Sequence, residues 1–137
     1  MRMMRMKTNV EILYPDLSYK LTGLCYAVQN ELGRFCTEKQ YTDALEIVLK
    51  KEGLIFQREK FVPIKFKEES VQGVFPDFLI ENTIVVDLKA KKFITKDDNN
   101  QMMKYLRLLD KKLGLIVNFR STYLKPKRIL NSQYSHE

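Results

Sequence analysis

The stretch "VFPDFLIENTIVVDLKAKK", residues 74–92, sets three charged side chains, Asp77, Asp87 and Lys89, inside two otherwise apolar strand-like runs. Side chains alternate across a strand, so Asp77 and Leu79 share one face of the first run, and Phe78 and Ile80 share the other. In the second run Val85, Asp87 and Lys89 stand opposite Ile84, Val86, Leu88 and Ala90. The latter set is wholly apolar and is assigned to the core; the former holds every charge. Register then decides whether the two acids meet. A two-residue turn at Glu81-Asn82 pairs position 80 with 83 and sends Asp77 and Asp87 to opposite faces. A three-residue loop, Glu81-Asn82-Thr83, pairs 80 with 84, sets Asp77 against Asp87, and keeps Phe78, Ile80, Ile84, Val86 and Leu88 together. Burial of the apolar face selects the second register. Asn82 or Thr83 must then accept a left-handed conformation, which asparagine tolerates well.

Two carboxylates directly opposed lie roughly 5 Å apart at their β-carbons, where like charges repel. A hard divalent cation relieves that repulsion, because carboxylate oxygens are what Mg²⁺ and Mn²⁺ prefer. Lys89, two residues beyond Asp87 on the same face, would then orient an attacking water or stabilise negative charge building on a phosphate. The other reading is an Asp–Asp–Lys trio on a solvated sheet face. Spacing alone leaves both open.

Upstream, "YPDLSYKLTGLCYAVQNELG" (14–33) has apolar Leu21, Leu24, Cys25, Val28 and Leu32 at helical spacing, with Gly33 placed to end the helix. "TEKQYTDALEIVLKKEG" (37–53) predicts a second helix, with Thr37 as N-cap, an apolar stripe of Tyr41, Leu45, Val48 and Leu49, and Gly53 as terminator. The period then falls to two. "LIFQREKFVPIKFK" (54–67) reads as a strand that Pro63 assigns to an edge or a bulge, and "EESVQG" (68–73) as a turn. Strands at 73–80 and 83–91 follow. "TKDDNNQMMKYLRLLDKK" (95–112) is a third helix with Met102, Tyr105, Leu106 and Leu109 as its stripe, "LGLIVNF" (113–119) a buried strand, and "KPKRILN" (125–131) a last short strand or tail. The order α-α-β-β-β-β-α-β predicts one α/β domain over 17–131 after a basic tail, 1–16. The strand–helix–strand step at 84–118 implies a right-handed parallel crossover within a mixed sheet.

Composition bounds the function. The chain has 137 residues, 45% of them hydrophobic, with five glycines and four prolines, which is enough for one packed core. No apolar run approaches the roughly 20 residues that span a bilayer, and "MRMMRMK" at the start lacks the apolar segment of a signal peptide. An intracellular, cytoplasmic protein with no membrane partner is expected. Cys25 and Cys36 form no Cys-x-x-Cys pair and the single histidine, His136, lies next to the chain end, so a structural zinc site and a Ser–His or Cys–His nucleophile are unsupported. A formal net charge of +7 suits attraction to a polyanion, nucleic acid first.

Pro76-Asp77 on one strand followed by Asp87-Leu88-Lys89 on the next resembles the PD-(D/E)xK nuclease-like superfamily. "LGRFCTEKQYTDAL" (32–45) is similar to the signature of its GxxExxY branch, with Glu38 and Tyr41 on the named positions. The helix before it, "QMMKYLRLL" (101–109), "LGLIVNF" and "KRIL" (127–130) fit the same pattern, so the resemblance covers about residues 17–130. Three departures stand out: Arg34, Phe35 and Cys36 where the family is richer in glycine, Gln29 where histidine is common, and Asp87 where Glu is more frequent.

The resemblance implies a restriction-endonuclease-like mixed β-sheet flanked by helices, and a Mg²⁺- or Mn²⁺-dependent nuclease acting on nucleic acid, DNA first. Asp77, Asp87, the Leu88 carbonyl and Glu38 would hold the metal. Lys89 would stand by the attacking water and Gln101 would support the site. Lys91, Tyr41 and Tyr105 are the candidate nucleic-acid contacts, though Tyr41 and Tyr105 read first as amphipathic core, Glu38 reads also as a helix N-terminal charge, and Lys91 with the run Lys125-Lys127-Arg128 as a solvated rim. Pairing of two copies around a duplex is a further expectation. The competing function is a catalytically silent module of the same fold that binds nucleic acid or a protein partner; a third is hydrolysis of a small phosphoester.

Overall fold

The structure, a computed structural model, describes residues 14–134. Most of the basic tail, and His136, lie outside the described residues. Helix α1 (Pro15–Leu32) begins within the segment assigned to that tail, with Pro15 at its first turn, where a missing N–H costs nothing. It ends at Gly33, whose φ of 83° takes the left-handed region that glycine enters freely. Helix α2 (Glu38–Lys51) opens on a capping box in which Thr37 and Gln40 satisfy each other's backbone N–H groups.

Seven strands follow the period change: β1 (Phe56–Arg58), β2 (Val62–Phe66), β3 (Glu69–Val74), β4 (Phe78–Ile80), β5 (Ile84–Lys89), β6 (Leu113–Asn118) and β7 (Lys127–Leu130), with helix α3 (Lys96–Leu109) between β5 and β6. Five of them form one sheet in the order β1-β4-β5-β6-β7. β5 and β6 run parallel, as the intervening helix requires, and the other neighbours are antiparallel. This is the expected restriction-endonuclease-like mixed sheet with helices on its faces.

The strand count differs from the sequence reading over 54–80, where two expected strands are four. The run 54–67 is two strands, broken where Glu59 takes a left-handed φ of 52°. Residues 68–73, read as a turn, are mostly strand β3. The turn itself is tighter, with Lys67 and Glu68 both left-handed. β2 and β3 pair only with each other, with a register shift between Ile64 and Lys65 next to Pro63. A strand cannot donate through proline, and the pair stays out of the main sheet.

β4 and β5 take the three-residue-loop register: Ile80 pairs with Ile84 and Phe78 with Val86. The left-handed residues are Glu81 and Asn82, not Thr83. Glu81 is held in that conformation by two bonds to Ile55, its N–H donating to the carbonyl at 2.7 Å and its carboxylate accepting from the N–H at 2.7 Å.

Both faces of this sheet are covered. Phe78, Ile80, Ile84, Val86 and Leu88 pack with Leu21, Cys25 and Val28 of α1 and Tyr41, Leu45 and Leu49 of α2. On the opposite face, Leu79, Val85 and Ile116 pack under Met102, Tyr105 and Leu106 of α3. Each such aliphatic side chain contributes about 1.5–3 kcal/mol on burial. The face that carries the charges is therefore roofed by a helix, and the solvated alternative does not hold for Asp87, which is 5% exposed; Asp77 and Lys89 beside it are half-buried.

Candidate active site

The site begins where the β4–β5 ladder stops. Phe78–Val86 is its last pair; the same register continued would set Asp77 against Asp87 and, at the next hydrogen-bonding rung, Pro76 against Leu88. Proline has no N–H to donate, so that rung cannot close. The N–H of Leu88 is taken instead by Asp77 Oδ2 at 2.8 Å. In a strand the N–H and C=O of one residue point the same way, so the Leu88 carbonyl faces the same gap. Asp77 is thus turned toward β5, with its own N–H 3.4 Å from Asp87 Oδ1.

Lys89 closes the group from the other side. Its Nζ lies 3.1 Å from Asp87 Oδ2 and donates to Gln101 Oε1 at 2.9 Å. Gln101 is delivered by the second turn of α3, and the orientation of that helix is fixed at its first turn. There Thr95 and Asp98 form a capping box, and the Asp98 carboxylate also receives Lys91 Nζ at 2.6 Å and stands 3.7 Å from Lys89 Nζ. Asn118 ties the strand ends together: its Oδ1 accepts from the Lys91 N–H at 3.1 Å and its Nδ2 donates to the Lys91 carbonyl at 2.7 Å.

Electrostatics follow from burial. Desolvation, then the charge of Asp87, pushes the Asp77 carboxyl up to about 7 from its ordinary 3.8; the Leu88 N–H works the other way, and the charge of Glu38 adds slightly. Burial opposes the charged form of Lys89, but Asp87, with Asp98 and Glu38 beyond it, outweighs this and raises its pKa. Asp98 is also penalised by burial, yet Lys91 and the Thr95 bonds hold it below the usual carboxylate range.

The remaining expected residues separate. Glu38 is exposed at the first residue of α2, near enough for Asp77 and Lys89 to feel its charge. Among the described residues no three of His, Cys, Asp and Glu gather closely enough to hold a metal, so Glu38 does not close a three-acid set with Asp77 and Asp87. Tyr41 is fully buried: its ring stacks on Phe119 at 4.2 Å, and its hydroxyl donates to the Gly33 carbonyl and accepts from the Cys36 N–H. That leaves it no surface to offer a nucleic acid. Its work is to fix the loop leading to Glu38. Tyr105, 5% exposed under α3, is likewise packed, and its hydroxyl pKa is raised by burial and by Asp87 and Asp77. Lys91 keeps its side chain 39% exposed while bound to Asp98. Gln29 donates to the carbonyls of Phe119 and Ser121 at 2.9 Å each and pins the end of β6 to α1.

Sequence reading missed Asp98 and Asn118. Asp98 had a signal, since Thr95-Lys-Asp-Asp98 has the spacing of a capping box. Asn118 had none, because its role depends on the parallel register with Lys89.

The donors fit a hard divalent cation: one carboxylate on β5, a second just before β4, and a backbone carbonyl at an unclosed rung, with the Asp77 pKa raised first by burial and then by the charge of Asp87.

A mixed sheet whose central strand ends in an acid–lysine pair beside a second acid defines a nuclease-like α/β domain. The family model of the PD-(D/E)XK nuclease superfamily matches residues 15–129, and the chain belongs to that superfamily. Searches of curated proteins and of solved structures find no significant match. No helix among the described residues is long and apolar enough to cross a membrane.

Proposed function

We propose that this protein is a divalent-metal-dependent nuclease that hydrolyses phosphodiester bonds, in DNA first, and belongs to the GxxExxY branch of its superfamily. One observation carries the reading: Asp77 and Asp87 meet across a rung that Pro76 leaves open, and Lys89, gripped by Asp87 and Gln101, stands beside them. Asp77, Asp87 and the Leu88 carbonyl would hold Mg²⁺ or Mn²⁺, with Glu38 acting across intervening water. The cation, when bound, supplies charge neutralisation on the phosphate and a more acidic water.

The chain's own residues do the rest. Asp77 and Asp87 must both be ionised to serve as oxygen donors. Lys89 presents a fixed ammonium, pre-oriented by two acceptors, to water or to a phosphate oxygen. Gln101 holds that ammonium on the reaction side, and Lys91 adds positive charge at the rim. The domain is taken as 17–131 behind a basic tail, 1–16, in a cytoplasmic protein; pairing of two copies round a duplex belongs to the same proposal. Binding is expected through the phosphate backbone, with little reading of base sequence.

The test is cleavage of plasmid and single-stranded DNA with Mg²⁺ or Mn²⁺. Asp87→Ala is expected to abolish it, and undiminished cleavage would overturn the mechanism. Nucleic-acid binding without any calorimetric Mn²⁺ binding at millimolar concentration would instead favour the silent module.

A further inference from the structure

The loop between α1 and α2 departs from the family pattern by carrying Arg34 and Phe35, and the structure gives those residues a definite arrangement. Phe35 is 75% exposed, as Phe93 is at 73%, but Phe35 has two arginines at its ring. Two guanidinium groups lie over its ring, Arg34 at 5.1 Å and Arg120 at 5.3 Å from the centroid. Those separations fall within cation–π range, yet the exposure of the ring means that the two arginines leave it largely open.

The loops bearing these residues are locked together. Arg34 Nε donates to the Arg120 carbonyl at 2.9 Å, and Arg120 Nε donates to the Arg34 carbonyl at 3.2 Å. Arg120 Nη2 also reaches the Ala90 carbonyl at 3.3 Å, one residue beyond Lys89. The N–H of Phe119 donates to the Lys89 carbonyl itself. The aromatic surface is thereby fixed to the strand end that carries the site, and it lies three residues ahead of Glu38.

We infer that Phe35 is a stacking platform for an unpaired base, with Arg34 and Arg120 taking the adjoining phosphates, so that the strand entering the site is single-stranded. An exposed ring between fixed guanidinium groups is the arrangement that binds single strands: bases stack on the aromatic face and the backbone follows the positive charge. A paired base inside a duplex has no free face to give. The inference rests on the nucleic-acid reading of the site and adds the form of the substrate.

Binding of end-labelled single-stranded DNA, single-stranded RNA and duplex DNA is measured by fluorescence anisotropy in EDTA, for the wild type, Phe35→Ala, Phe35→Leu and Phe35→Trp. Loss of the ring is expected to weaken single-strand binding by roughly 5- to 150-fold, the effect of one lost base stack, and duplex binding by less than about twofold. Phe35→Trp is expected to retain affinity, and 2-aminopurine placed in the strand to be quenched by the wild type and not by Phe35→Leu. Because the ring is exposed, unchanged thermal unfolding checks that the variants fold. Preference for the DNA or the RNA strand identifies the source. Equal losses on duplex and single strand, or none on either, overturn the platform. Duplex cleavage that needs Asp87 but ignores Phe35 overturns the platform and leaves the nuclease standing. Phe35-dependent strand binding without metal-dependent cleavage keeps the platform and removes the nuclease, and no binding of any strand removes both.

Discussion

Asp77 sits where a carboxylate is costly to ionise, and that cost has a sign. The folded state raises its pKa from 3.8 to about 7, so the fold prefers the protonated form. Stability from this group is complete below about pH 3.8 and is lost as pH rises through 7. Without divalent cation, Asp77→Asn is expected to be more stable than the wild type at pH 8 by about 1–4 kcal/mol, the upper figure being three pKa units before solvent screening. The gap should close by pH 3.5. Urea unfolding across that range in EDTA measures it, and a variant no more stable at pH 8 would contradict the cause assigned here. Mn²⁺ is expected to stabilise the wild type at pH 8 and not the variant. At this scale the sequence was legible where the pleat's period of two governs, at Asp77, Asp87 and Lys89. Tyr41 was legible as core from its helical stripe and Asp98 as a cap from its spacing, but the stacking of Tyr41 on the distant Phe119 and the pairing of Asp98 with Lys89 and Lys91 of another element were not.

The element that positions Lys89 is α3, through Gln101 and Asp98, and α3 rests on β6 with almost no clearance. A β-carbon built on Gly114 would lie 2.3 Å from Met102 Sδ and 2.7 Å from its Cγ, and Met102 is 1% exposed. Gly114→Ala is therefore expected to lift or shift the helix at a cost of about 1–3 kcal/mol, seen as a lower urea midpoint with an unchanged slope. Cleavage should fall further than the loss of folded protein explains. Helices α1, α2 and α3 were readable from spacing and caps, because those signals are local. The β2–β3 hairpin was not, because 54–67 and 73–80 look continuous in sequence. Their breaks at Glu59 and at Phe75-Pro76-Asp77 are decided by which partner strand each half finds.

Across the molecule, the covering of both sheet faces was the least legible property. Alternation in 83–91 showed one apolar face and one charged one, while the packing of α3 over the charged face depends on the parallel return of β6. The same return makes β5 the middle of five strands. The amides of Val86 and Asp87 are expected to exchange with deuterium only through global unfolding, whereas those of the β2–β3 hairpin should exchange by local opening. Early exchange at Val86 would contradict this. Asp87 and Lys89 are thus mounted on the least yielding part of the chain. Under the proposed function a scissile phosphate would have to come to them, and the nucleic acid would supply the distortion. A limp strand meets that demand at lower energy than a stiff helix some 150 base pairs in persistence length.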